Sequence, residues 1–199
     1  SQLIRSGTGG TTDSPIPILY DRRRNDIKMA EMVYFRKWFQ WYPESKVAYL
    51  WGAPMDIPGI ESWKERLKGL YILRNMFLFA SILNAEIMDD YLKQLRRFKP
   101  HIIQAYTNPI YILSHYMLNN GQSVYPPKAV IVTAEPCYPS QRAVIEQAFN
   151  CPVYSFYGAR EAGYIGVECA SHRHYHINTH GVYLEIIRDG KPAGPGEIG

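Results

Sequence analysis

HIIQAYTNPIYILSHYMLNNGQSVYPPKAVIVTAEPCYPSQRAVIEQAFNCPVYSFY, residues 101–157, alternates two kinds of segment. His101–Tyr106 and Lys128–Thr133 are short apolar runs, and Pro152–Tyr157 is a third. Pro109–Asn119 and Tyr138–Phe149 carry helical spacing between them, the first with a proline at its start and Gly121 just past its end. A run as continuously apolar as KAVIVT suits a strand buried on both faces. Strand, helix, strand, helix, strand with short links predicts a parallel sheet covered by helices.

Towards the N-terminus the same alternation continues less regularly. Ile16–Tyr20 reads as a short strand after Pro15. Asp26–Tyr42 reads as a helix closed by Pro43, and Lys46–Trp51 as a strand. Residues 52–69 are punctuated by Gly and Pro and are expected to form a long loop with a short helix. Leu70–Ala80 is apolar enough for one or two strands. Asn84 is an N-cap for a helix over Ala85–Phe98, with Glu86, Asp89 and Asp90 at its positive end and Lys93, Arg96, Arg97 and Lys99 at its negative end. Beyond Tyr164 the rhythm changes to strands and turns, with Val182–Arg188 as a strand and Asp189-Gly190 as a turn. The fold class expected is α/β, a mainly parallel sheet flanked by helices with a strand-rich C-terminal section.

Composition narrows the function. The 199 residues are 46% hydrophobic and 20% charged, which sustains a core and excludes intrinsic disorder. No apolar run reaches the ~18 residues of a membrane span. Three cysteines without a C-x-x-C pair disfavour a disulfide scaffold and favour a reducing, cytoplasmic setting. The net charge of +4 is too small, and Arg22–Arg24, Arg96, Arg97 and Lys99 too scattered, for a nucleic-acid stripe.

Four segments carry candidate chemistry. Ser6, Gly7, Thr8, Gly9, Gly10, Thr11 and Thr12 form a loop of glycines and hydroxyls suited to a polyphosphate, or else a flexible, solvated terminal loop, and it matches neither a Walker A loop nor a Rossmann fingerprint. Thr133-Ala134-Glu135-Pro136 and Ser155–Glu161 follow predicted parallel strands, where open α/β sheets bind ligands. There an aromatic ring offers a face to a base and Glu161 an oxygen to Mg²⁺. A turn leading into a helix, with an ion-paired glutamate, is the alternative for Ser155–Glu161. Cys169, His172, His174 and His176 include natural zinc ligands, or else one exposed face of a strand.

In order and spacing, the Gly/Ser/Thr loop, T-A-E-P, F-Y-G-A-R-E, E-I-I-R-D-G and G-P-G-E-I-G resemble the adenylate-forming superfamily of acyl-CoA synthetases. Within it the chain is most similar to the phenylacetate-CoA ligase and CapK-type capsular polysaccharide branch, through YLKQLRRFKPHIIQAYTNPIYILS and Y-G-A-R-E. The resemblance covers nearly the whole chain. It implies ATP-dependent conversion of a carboxylate to an acyl-adenylate, with transfer to coenzyme A in many members. Ser6–Thr12 would then hold the β- and γ-phosphates. Ala134, Glu135 and Pro136 would flank the adenine opposite Phe156, Tyr157 and Gly158, and Glu161 would bind Mg²⁺.

Zinc in some members of that branch implies Cys169 and His176 as half a site, completed by cysteines further on. Trp51 and Tyr106 are candidates for an acid pocket, along with Tyr49 and Tyr111, or are core packing. Residues 1–199 would be a partial adenylation domain, without its N-terminal part or the C-terminal domain that carries the adenylation lysine, and inactive alone. Exposed sheet surface in such a piece would favour a homodimer. Asp13 and Ile16 depart from the family's loop, which often has lysine after its proline, and they raise the alternative of a degenerate nucleotide-binding or scaffold protein.

Overall fold

The computed structural model describes residues 3–7, 17–52, 74–172 and 174–198. Most of Ser6–Thr12, from Thr8 onwards, and the expected loop of residues 52–69, from 53 onwards, lie outside them.

β1 (Ile4–Gly7) and β2 (Pro17–Tyr20) pair antiparallel, so the Gly-rich segment connects two strands of a hairpin. α1 (Arg22–Arg36) follows, extended by a 3-10 turn over Lys37–Phe39. It begins four residues before the expected Asp26. Asp21 caps it by accepting from the Arg24 N–H at 2.7 Å, and the polar first turn is held by tertiary contacts rather than apolar spacing.

A seven-stranded sheet forms the body of the molecule. It comprises β3 (Val47–Trp51), β4 (Asn75–Phe79), β5 (Ile102–Tyr106), β6 (Ala129–Thr133), β7 (Val153–Ala159), β8 (Gly163–Glu168) and β9 (Tyr175–Ile177), in the order β4-β3-β5-β6-β7-β8-β9. The first five neighbours run parallel, and β8 and β9 continue antiparallel. All five residues of β6 are buried, as its unbroken apolar run requires.

α2 (Ala85–Phe98), α3 (Thr107–Asn119) and α4 (Pro139–Phe149) connect the strands. Asn84 caps α2 as expected, accepting from the Ile87 N–H at 2.9 Å. α3 starts two residues before Pro109, because a proline in the first turn lacks only an N–H that would have no intrahelical partner.

Helices pack on both faces. Leu92 and Leu95 of α2, Ile110 and Leu113 of α3 and Ile145 of α4 bury one face with Leu50, Ile103 and Val130. Phe35 of α1 and Phe39 pack on the opposite face with Val47, Ile102, Ile131 and Tyr154. The C-terminal section is strand-rich but less regular than expected. Of Val182–Arg188, only Ile187–Arg188 is a strand (β10), pairing with β11 (Lys191–Pro192) across Asp189-Gly190. Both turn residues have positive φ (50° and 75°), which suits a two-residue hairpin.

Candidate functional site at the carboxyl ends of the parallel strands

β3 is followed by β4 on one side, whereas β5, β6 and β7 extend the sheet on its other side. Sheet growth therefore reverses between β3 and β5, and in open α/β sheets the crevice outside the carboxyl ends at such a reversal is where ligands bind. The last residues of these two strands are Trp51 and Tyr106. Their rings meet at 4.6 Å with an interplanar angle of 42°. Trp51 and Tyr106, two of the candidate pocket residues, are thus in contact, and both rings are only partly buried.

One tier deeper, Tyr49 of β3 lies opposite Gln104 of β5 in the ladder and stacks on Phe77 at 4.9 Å. Arg36, the last residue of α1, reaches under this tier. Its Nη2 donates to the Tyr49 hydroxyl and to Gln104 Oε1, each at 2.9 Å. Burial works against its charge, but the Tyr49 and Tyr164 hydroxyls beside it raise its pKa above the ordinary arginine value. Burial likewise raises the Tyr164 phenol, and Arg36 draws it back down.

The neighbouring strand ends are laced together. Thr133 Oγ1 donates to the Phe156 carbonyl at 3.2 Å, which brings Ala134–Pro136 beside Phe156–Gly158. Thr107 Oγ1 donates to the Glu135 carbonyl at 3.0 Å. The Glu135 carboxylate accepts the Asn108 N–H at 3.0 Å at the positive end of α3. Ala134 sits at φ 73°, a conformation that favours glycine, so the turn holds backbone strain.

Phe156 packs on Tyr164 with centroids 4.6 Å apart, whereas Tyr157 is 61% exposed and leaves a ring face free for a planar group. Gly158 allows close approach, because a Cβ there would lie 2.5 Å from the Gly163 carbonyl oxygen. β7 does not lead into a helix. It turns at residues 160–162 into antiparallel β8, and Glu161 is exposed on that turn.

α1 fastens the turn. Lys28 Nζ donates to the Arg160 carbonyl at 2.7 Å and lies 4.8 Å over the Tyr20 ring at the end of β2. Arg24 donates to the Ala162 carbonyl and pairs with Glu31 at 3.2 Å. Burial lowers the Lys28 pKa, and Arg24 and Arg160 add to that, while Glu31 and Glu161 act against it. These bonds place the hairpin, α1 and the Glu161 turn around one corner. Ser6 and Gly7 end β1 in that hairpin, and Thr8, Gly9, Gly10, Thr11 and Thr12 lie outside the described residues.

Solved structures share this fold. VinN superposes with a TM-score of 0.63 at 16% identity, over 98% of this chain and 47% of its own. A long-chain-fatty-acid-CoA ligase from Archaeoglobus fulgidus gives 0.63 at 16% identity, over 97% and 40%. 2-Hydroxyisobutyryl-CoA ligase, in its postadenylation state with R3-HIB-AMP, gives 0.55 at 16% identity, over 83% and 36%. The chain has the adenylate-forming acyl-CoA ligase fold. Protein CapK of Staphylococcus aureus is 28% identical over 162 residues, covering 81% of this chain and 36% of CapK. No family model matches. The resemblance read from the sequence is borne out, and the chain spans about a third of the curated relative it matches.

On the adenylate-forming fold, Cys169 and His176 come together beyond β8. Ser171 lies 3.1 Å from the thiol, and hydrogen bonds from Ser171 and then His176 bring its pKa down to about 7. Two soft donors suit zinc, but among the described residues no group of three or more His, Cys, Asp or Glu side chains is placed to hold a metal. Glu161 as a single carboxylate suits Mg²⁺, which usually takes one or two carboxylates together with substrate phosphates.

One feature gave no sequence signal. A cleft of about 420 Å³ opens between α4 and β7–β9, around Arg142, Glu168, His172 and Ser155. Glu168 is 6% exposed, pairs bidentately with Arg142 Nη2 at 2.8 and 2.9 Å and accepts the Ser155 N–H at 2.8 Å. His172 lies 3.5 Å from Glu168, drawn away from the Cys169–His176 pair. These groups satisfy one another, so the cleft is a structural junction.

Proposed function

We propose that residues 1–199 are the central part of the large domain of an enzyme that activates a carboxylic acid with ATP. What supports this reading is that two of the expected segments, the Thr133–Pro136 turn and the Phe156–Glu161 turn, lie side by side at the ends of the parallel strands β6 and β7, with α1 fastened to the second of them. The substrate carboxylate oxygen attacks the α-phosphorus, forming the O–P bond of a mixed carboxylic–phosphoric anhydride and breaking the bond from that phosphorus to the α,β-bridging oxygen, whose electron pair leaves with pyrophosphate. Ser6–Thr12 hold the leaving phosphates through backbone N–H and hydroxyl donors. Tyr157 and the Ala134–Pro136 turn hold the adenine between them. Glu161 would hold Mg²⁺, which would supply charge neutralisation between carboxylate and phosphates. Trp51 and Tyr106 receive the acid.

Coenzyme A is the proposed acceptor, because 2-hydroxyisobutyryl-CoA ligase of the same fold forms a complex with 2-HIB-AMP and CoA. VinN forms a complex with L-aspartate, so the fold accommodates a polar acid. A cytoplasmic location accords with three free cysteines. Zinc at Cys169 and His176 is proposed as structural, completed by residues further along, and homodimerisation as cover for the exposed edge strand β9. The test is Mg-ATP binding to the full-length protein, followed by carboxylate-dependent pyrophosphate release.

Asp13 and Ile16 in the loop region, with the similarity to CapK, favour a second reading as a nucleotide-binding scaffold in polysaccharide biosynthesis. A full-length protein that binds ATP and never forms an adenylate fits that reading instead.

A further inference from the structure

We propose that Arg36 is the specificity-determining cation of the acid site, and that the substrate carries a second anionic group in addition to the carboxylate that is activated. This inference rests on the acid-activation reading and names the substrate class for it.

Three charged side chains are buried among the described residues, namely Glu31, Arg36 and Glu168. Glu31 has Arg24 at 3.2 Å and Glu168 has Arg142 at 2.8 Å. Arg36 is 7% exposed, and no carboxylate among the described residues forms an ion pair with it. Its hydrogen-bond partners are Tyr49, Gln104 and Tyr164, all neutral acceptors. The Trp41 and Tyr49 rings lie 5.7 Å from its guanidinium carbon. Neutral oxygens and ring faces satisfy donors but leave the unit charge without a counter-ion among the described residues. A guanidinium does not escape by losing its proton, and a buried charge is costly unless it is paired.

The placement says where the counter-charge comes from. Tyr49 and Gln104 lie two residues before Trp51 and Tyr106 on β3 and β5. Side chains two apart share a face, about 7 Å apart along the strand. Arg36 therefore lies one tier below the aromatic pair, at the reversal point where the acid enters. An acid activated at the strand ends would direct its tail down this face towards Arg36. A short dicarboxylate, or another acid with an anion at that reach, puts its second charge against the guanidinium. A plain aliphatic tail would leave the cation buried and unneutralised.

The test is acid-dependent ATP–pyrophosphate exchange by the full-length protein, comparing succinate, glutarate and adipate with butyrate, valerate and hexanoate. Dicarboxylates are expected to exceed monocarboxylates of equal length roughly 10–100-fold in kcat/KM, the range of a charge-assisted contact. Arg36→Gln should collapse that ratio by raising KM for the diacid while KM for ATP stays unchanged, and Arg36→Lys should retain part of it. If Arg36→Gln does not fold, the wild-type ratio decides, together with selective thermal protection by diacids alone. Equal use of both series, or an equal loss on both in Arg36→Gln, overturns the assignment of Arg36 and leaves acid activation standing. No exchange with any acid, in protein that binds Mg-ATP, overturns both.

Discussion

Lys28 of α1 donates to the carbonyl of Arg160 at 2.7 Å, tying the helix that follows the Gly-rich hairpin to the turn that carries Glu161. The Gly-rich loop region carries no lysine, and Ile16 follows Pro15. Lys28 is the cation the structure places between hairpin and turn. Lys28→Met removes one charge-assisted hydrogen bond in a half-buried setting. KM for Mg-ATP is expected to rise about 5–10-fold, from a contact of roughly 1–1.5 kcal/mol, with Lys28→Arg retaining most of the wild-type value. An unchanged KM in Lys28→Met would show that the turn holds its position without this bond.

Gly158 of β7 lies close against the backbone of β8 at Gly163. An added Cβ would stand 2.5 Å from a carbonyl oxygen that has no rotamer to escape into. Gly158→Ala should lower unfolding stability by about 1–3 kcal/mol, as overpacking typically does. Urea titration of the full-length variant checks it, and a midpoint equal to wild type would mean that the β7 irregularity absorbs the methyl group.

Ala134 presents the opposite case. Its positive φ is strained for alanine and free for glycine. Ala134→Gly relieves roughly 1 kcal/mol of strain and loosens the unfolded chain by a similar order, so a net change within about ±1 kcal/mol is expected. By comparison, Ala134→Val should cost more than either, since a β-branched side chain tolerates this region least.

Removing Arg142 leaves the Glu168 carboxylate buried without its cation. Arg142→Met is expected to destabilise the fold by about 3–5 kcal/mol, and Arg142→Met with Glu168→Gln to recover much of that. A double mutant no more stable than the single one would show that packing, rather than the ion pair, sets the cost.

The thiols separate by pH. Cys169 is lowered to about 7 by Ser171 and His176, whereas burial pushes Cys151 up to about 12. In metal-free protein, iodoacetamide should modify Cys169 with a rate that rises through a midpoint near pH 7. Cys151 should stay unmodified below pH 9. Equal rates at the two cysteines would contradict this arrangement, and protection of Cys169 by added Zn²⁺ would support the zinc half-site.

Local signals made much of the architecture legible. Asn84 fixed the start of α2 because an Asn cap is decided by its own side chain and one N–H three residues on. β6 was legible because burial on both faces leaves no polar position to interrupt the run. α1 was misplaced at its start because Arg22–Asn25 are held by Asp21 and by contacts 138 and 132 residues away through Arg24 and Lys28. Val182–Arg188 has strand composition, but only its last two residues find a partner in β11.

The candidate site divides in the same way. Trp51 and Tyr106 were legible as strand-end aromatics, and their meeting follows from strand order. Arg36 gave no signal, because a cation in the last turn of a helix looks like ordinary dipole compensation. Its burial beneath Tyr49 and Gln104 exists only once α1 docks on the sheet. The Arg142–Glu168 pair, 26 residues apart, is likewise a product of packing.

Acid-dependent exchange of labelled pyrophosphate into ATP by the full-length protein, wild type against Glu161→Gln, tests the central reading most directly. The substitution removes one charge and keeps the size of an exposed side chain, so folding should be unaffected. Wild-type protein should exchange only when a carboxylic acid is present, and Glu161→Gln should reduce the rate by about 10²–10³, the scale of a lost electrostatic contact at the reacting centre. Absence of exchange across a broad acid panel, in protein that binds Mg-ATP, would contradict the account.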